Sequence, residues 1–108
     1  MVKWVVLWDL PEGRDPEEWE RWYRDVHVPI ASRLPKMRRY TVGKCIGGPE
    51  GVPRFGRMAE QYFDNEEDLW AAVNSPAGKA VVDDAGPNVA RLHLMVCTEG
   101  EVAPEAEN

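Results

Sequence analysis

Few side chains in this 108-residue chain can move a proton near neutral pH, and His27 is the first of them. Imidazole titrates closest to neutrality, so a histidine beside a pocket can serve as acid or base. His27 falls on a predicted helix, one turn from Tyr23, where the two side chains can share a hydrogen bond or a ligand. The alternative at this position is a structural histidine that caps a carbonyl near a bend at Pro29. On the predicted second and third strands, a pairing that sets Ile46 opposite Met58 also sets Lys44 opposite Glu60 and Val42 opposite Tyr62. Tyr40, Lys44, Glu60 and Tyr62 then interrupt one apolar wall, and buried polar groups require partners or a ligand. Glu60 suits an acid or base and Tyr62 an orienting hydroxyl. Lys44 reads either as a substrate contact or as half of a cross-strand ion pair at a dimer rim. Trp4, Trp8, Trp22 and Met58 supply flat or polarisable surface for an aromatic ligand, with ordinary core packing as the alternative.

The elements that must hold these groups follow from periodicity. Val2 to Trp8 is apolar except for Lys3, β-branched and aromatic, which predicts a strand covered on both faces. Asp15 before Pro16, Glu17 and Glu18 predicts a helix start, and Trp19, Trp22, Tyr23, Val26 and Ile30 recur as its buried stripe. Strands are expected from Arg39 to Ile46, Arg57 to Phe63 and Arg91 to Cys97, the first two antiparallel across the turn-rich 47–53 loop. A second helix capped by Asp64 or Asn65 carries Leu69, Trp70, Val73, Val81 and Val82, and Pro76 and Gly78 divide it. The order β-α-β-β-α-β gives an α+β fold: a four-stranded antiparallel sheet with both helices on one face. Because the first strand is apolar on both sides, the bare face is expected to meet a second copy of the chain. Residues 1–98 form the expected domain and 99–108 an acidic tail.

Composition closes off several classes of function. A net charge of −6 opposes nucleic-acid binding, which depends on clustered cations. The basic group Arg33, Lys36, Arg38 and Arg39 reads as solvated charge near a helix end, or as an anion site. No apolar run approaches the ~20 residues of a membrane-spanning helix. The N-terminal run lacks a small-residue cleavage signal, so a strand is expected there and not a secretion signal. Cys45 and Cys97 have neither disulfide-scaffold nor CxxC spacing, which points to a reducing, cytoplasmic setting. His93, between Leu92 and Leu94, lacks the companion ligands of a metal site, so no metal is expected.

A family resemblance rests on the opening strand and Pro11-Glu12-Gly13, then Trp19 and the run Tyr23-Arg24-Asp25-Val26-His27-Val28-Pro29-Ile30. It continues through Leu34-Pro35, Arg39-Tyr40, Gly47-Gly48-Pro49 and Glu60-Gln61-Tyr62-Phe63-Asp64. From about residue 2 to 97 the chain resembles the EthD family of dimeric α/β-barrel, ferredoxin-like proteins. The resemblance implies two sheets packed face to face in a homodimer, with a small pocket between sheet and helices in each subunit. It also supports the functional reading of His27. The function it implies is cofactor-free proton transfer in an isomerisation, cyclisation or oxygenation of a small aromatic or polyketide-like compound. His27 would move the proton, with Tyr23, Glu60 and Tyr62 positioning the substrate. A non-catalytic accessory protein that holds a metabolite or haem in the same pocket is the alternative.

Overall fold

The computed structural model describes residues 1–105, and it contains the expected elements in the expected order. Strand β1 (Val2–Asp9) is followed by helix α1 (Pro16–Trp22), a π turn (Tyr23–His27) and helix α2 (Val28–Ala31). Then come β2 (Arg39–Lys44), β3 (Arg57–Phe63), α3 (Glu66–Val73), α4 (Pro76–Ala85), a short 3₁₀ turn and β4 (Arg91–Thr98). The antiparallel strands lie in the order β2-β3-β1-β4, so β1 has a neighbour on each side, as its unbroken β-branched and aromatic run requires. Trp4, Val6 and Trp8 face the helices; Lys3, Val5 and Leu7 face the other way.

The β2–β3 register differs from the expected one by three residues. Val42 sits opposite Ala59, Lys44 opposite Arg57 and Tyr40 opposite Gln61. An odd slip exchanges faces, so Glu60 and Tyr62 lie on the side away from the helices, opposite Thr41 and Arg39. Burial decides the matter. Phe63 is fully buried against Leu34, Leu69 and Ala72, and period-two alternation then brings Gln61 and Ala59 inward with it.

The first helical region also departs from its predicted face. Asp15 accepts from the Glu17 amide and Pro16 opens α1 as expected. Beyond Trp22, however, the Val28 amide bonds to the Tyr23 carbonyl five residues back, so the helix takes up one extra residue. That residue rotates the buried stripe from Val26 and Ile30 onto His27 and Ala31. Val26 is accordingly 43% exposed, whereas His27 and Ala31 are each 2% exposed. Pro29 falls in the first turn of α2, where a missing amide is least costly.

The second helical region divides as its sequence predicts. Asn65 caps α3 by accepting from the Asp68 amide at 2.8 Å, and Ser75 caps α4 by accepting from the Gly78 amide at 3.1 Å. Gly78 permits the tight junction, because a β-carbon there would lie 2.1 Å from the Val73 carbonyl oxygen. Two apolar clusters result. One surrounds Trp8, Trp19 and Tyr23; the other surrounds Phe63 and Leu69.

On the bare face, Lys3 bridges Glu60 at 2.5 Å and Glu99 at 3.1 Å, and the Tyr62 hydroxyl donates to the same two carboxylates. Glu99 thereby packs on the sheet instead of belonging to a free tail. Residues 100–105 have no regular structure, and 106–108 of the expected tail lie outside the described residues. Cys97 on edge strand β4 and Cys45 just beyond edge strand β2 are free thiols.

Candidate functional site

Where the two clusters meet, the helix face of the sheet and helices α2 and α4 wall a cavity of about 190 Å³ that opens to solvent beside the exposed Val82 and Leu94. Trp4, Trp8, Tyr40 and Gln61 project into it from the strands, His27 comes from the π turn, and Val81 and Ala85 come from α4. Among the described residues no Lys, Arg, Asp or Glu forms part of this wall.

His27 owes its place to the extra residue of the π turn, which carries it inward one turn above Tyr23. The rings of Trp19, Tyr23 and His27 stack in sequence, with centroids 5.2 and 5.8 Å apart and planes within 11° and 17° of parallel. Trp8 stands nearly perpendicular to this stack, 4.7 Å from His27 and 5.3 Å from Tyr23. With the tilted Trp22 ring 5.2 Å away, the imidazole is thus held by three aromatic rings.

Its other constraint is polar. His27 Nδ1 lies 3.0 Å from an Asp84 carboxylate oxygen, and the other Asp84 oxygen accepts from the Trp22 indole at 3.4 Å. A carboxylate only accepts, so the proton of the neutral ring resides on Nδ1 and the Nε2 lone pair is free. Burial lowers the His27 pKa from its ordinary value, and the Asp84 hydrogen bond opposes that shift only in part. The ring is therefore neutral near pH 7 and available as a base.

This depressed pKa has a consequence for stability. Below the ordinary histidine value of ~6.5, the unfolded chain binds a proton that the folded chain resists, so acid favours unfolding. The urea midpoint is expected to fall as pH is lowered from neutrality through the gap between the two pKa values. His27→Leu should remove that part of the pH dependence; an unchanged slope would contradict the neutral, buried ring.

Beneath the imidazole, Tyr23 is 1% exposed, and among the described residues its hydroxyl has no hydrogen-bond partner. Burial raises the pKa of this phenol and that of Tyr40, the latter to about 12, so Tyr40 is a neutral hydroxyl at the cavity wall. Arg57 lies over the Tyr23 ring at 4.9 Å and is paired with Glu20.

The structure brings some of the predicted site residues together and separates others. Trp4, Trp8, Tyr40 and His27 share the cavity, and Tyr23 supports His27 from below. Trp22 does not line the cavity, but its ring packs on His27 at 5.2 Å and its indole donates to Asp84. Lys44 is exposed at the end of edge strand β2. Glu60, Tyr62 and Met58 lie across the sheet from His27, because the register carries them to the bare face, so they take no part in this pocket. Two members were missed. Asp84 could have been sought as the acceptor that a buried histidine needs, and Gln61 as the polar residue sharing its strand face with Phe63.

Elsewhere, His93 lies 3.2 Å from Asp9 and packs on Phe55. Among the described residues no three His, Cys, Asp or Glu side chains converge as a metal-ligand set. No described helix is long and apolar enough to cross a membrane.

Comparison with known proteins agrees with this architecture. A crystal structure of an ethyl tert-butyl ether D (EthD) family protein from Bacillus halodurans superposes with a TM-score of 0.85 at 33% identity, over 93% of this chain and 99% of that one. An uncharacterised 11.0 kDa protein from the thcB-thcC intergenic region of Rhodococcus erythropolis is 29% identical over 94% of this chain and 96% of its own length. A hydroxynitrile lyase from Passiflora edulis shares the fold at a TM-score of 0.73 and 17% identity, over 95% of this chain and 96% of the lyase. The EthD domain model matches residues 11–91, and this chain belongs to the EthD family.

Proposed function

We propose that the cavity is the active site of a small-molecule enzyme in which His27 acts as a general base. The observation that carries this reading is the His27–Asp84 pair, which presents a neutral imidazole with Nε2 unpaired among the described residues in a largely apolar chamber. His27 Nε2 would take a proton from carbon beside a carbonyl, and the bonding pair would move onto the carbonyl oxygen. Return of the proton at another carbon is an isomerisation, and attack of the carbanion on a second carbonyl is a cyclisation. Oxygenation of the same carbanion requires molecular oxygen. The lyase of the same fold supports an enzyme reading at the level of fold alone.

Size bears on the ligand. At about 190 Å³ the cavity is smaller than the ~300–1,000 Å³ of drug-sized sites, which suits a compact organic molecule such as a single-ring aromatic. A haem with His27 as axial ligand, the accessory-protein reading, would have to extend through the open side of that space. The protein would act as a homodimer through the bare sheet face, where the half-buried Val5 and Leu7 lie beside the exposed Met58 and Met95. Its free cysteines suit a reducing, cytoplasmic setting.

A simple ketone tests the base without knowledge of the natural substrate. Proton NMR in D₂O is expected to show deuterium entering the methyl group of acetophenone faster than in buffer. A correctly folded His27→Ala variant should lose roughly 10²–10⁴-fold of that acceleration. Exchange at the wild-type rate in His27→Ala, or none in wild type, would sink the role.

A further inference from the structure

The cavity holds a second polar group that the proton-transfer step leaves unused. Gln61 is 4% exposed and sits on β3, with Trp4 and Tyr40 as its cross-strand neighbours. Among the described residues its amide makes one hydrogen bond, from Nε2 to the Ala31 carbonyl at 3.5 Å, the long limit for such a contact. That acceptor settles the orientation of the amide, because only the nitrogen can face a carbonyl. Among the described residues one N–H is left without a partner, and so is the carboxamide oxygen, which unlike the Tyr23 hydroxyl is open to the cavity rather than sealed from it. The free N–H faces into the cavity and can donate to whatever acceptor enters, water or ligand, while the oxygen can be met by water. Opposite it on β2, Tyr40 adds a hydroxyl that stays protonated near neutral pH.

Formal charge is missing from the wall, and this constrains the ligand as strongly as the amide does. A carboxylate or phosphate drawn into the cavity would lose its water and find no cation, and an ammonium would find no free anion. Arg57 is already engaged by Glu20, and Asp84 by His27 and Trp22.

We infer that Gln61, together with Tyr40, forms a binding subsite for the oxygen of an uncharged carbonyl compound, and that the cavity rejects anionic analogues of the same size. The inference rests on the cavity being the substrate site, and it deepens that reading by naming the class of substrate. When His27 withdraws a proton, negative charge gathers on the substrate oxygen, and two neutral donors can stabilise it without a permanent positive charge. Gln61 and Tyr40 touch the substrate in this scheme; Ala31 only holds the amide in place.

Binding measured by tryptophan fluorescence, with Trp4 and Trp8 as reporters, tests the subsite independently of turnover. The probes are acetophenone, benzoate and ethylbenzene, which have similar shapes but differ in carbonyl and charge. Wild type is expected to bind acetophenone at least ~100-fold more tightly than benzoate at neutral pH, since an unpaired anion must be desolvated. Gln61→Leu should weaken acetophenone about tenfold, the loss of one buried hydrogen bond, and leave ethylbenzene unchanged. Tyr40→Phe should lower the same acetophenone-to-ethylbenzene ratio, and it serves as the second variant if Gln61→Leu folds poorly. Benzoate binding as tightly as acetophenone in wild type, or a ratio unmoved in both variants, overturns the inference. Selective binding of the ketone without deuterium exchange would sink the base and leave the subsite standing. Exchange with an unmoved ratio would do the reverse.

Discussion

Asp84→Asn is expected to reduce deuterium exchange nearly as much as His27→Ala, by roughly 10²–10⁴-fold, while leaving the fold intact, as loss of the carboxylate behind a catalytic imidazole does elsewhere. The argument starts from the 3.0 Å contact between His27 Nδ1 and the Asp84 carboxylate. An ionised carboxylate can only accept, so it holds the proton on Nδ1 and leaves Nε2 as the base. An asparagine amide can present its NH₂ group instead, which places the imidazole proton on Nε2, where it blocks the substrate. A second effect runs the other way. Asp84 raises the His27 pKa against the stronger lowering by burial, so its removal depresses that pKa further. The acid limb of the pH–rate profile should therefore move to lower pH as the plateau falls. A drop without that displacement would mean that Asp84 acts only through packing. Trp22→Phe offers a milder comparison, since it removes the indole donor to the same carboxylate but leaves the acceptor in place.

How much of this was legible beforehand differs from residue to residue, and the differences have physical causes. The division of β1 into two apolar faces followed from its own residues, because alternation within one strand needs no partner, but which face meets the helices did not. The β2–β3 register depended on a long loop, and nothing local to Tyr40–Lys44 discloses whether Ala59 or Glu60 points inward. The anchor was Phe63, whose burial against Leu69 carries Gln61 to the cavity and Glu60 and Tyr62 away from it. In the first helix, Trp19 and Tyr23 obey ordinary helical spacing. His27 lay just off the predicted stripe because a π turn is a backbone event with no composition of its own. Asp84 was hidden for a different reason. Its neighbour Asp83 is an exposed partner of Lys79, and only the approach of α4 to α2 distinguishes one acid from the other.

Trp8→Ala is expected to cost about 3–5 kcal/mol of folding stability, the range for deleting a large buried aromatic side chain. At roughly 4–8 °C per kcal/mol for a domain near this size, melting should fall by some tens of degrees. The magnitude follows from position. Trp8 is 2% exposed and meets Trp19, Trp22, Tyr23 and His27 edge-on, at centroid distances of 4.7 to 6.2 Å. Its removal leaves a void that the strand backbone cannot close, because β1 is held by β3 and β4 on both sides. Trp8→Phe should cost much less, since among the described residues the indole N–H has no partner and the smaller ring removes that unmet donor. The two variants also separate stability from chemistry. In Trp8→Phe the imidazole keeps an aromatic wall and exchange should persist. In Trp8→Ala, assayed well below its melting point, the ring loses the nearest of its three aromatic neighbours and the cavity widens around it. Exchange should then fall even in folded protein, as placing the base within bonding distance of carbon depends on a rigid ring. Wild-type exchange in folded Trp8→Ala would show that the Tyr23 stack and Asp84 suffice to hold His27. A loss of less than about 1 kcal/mol would contradict the packing itself.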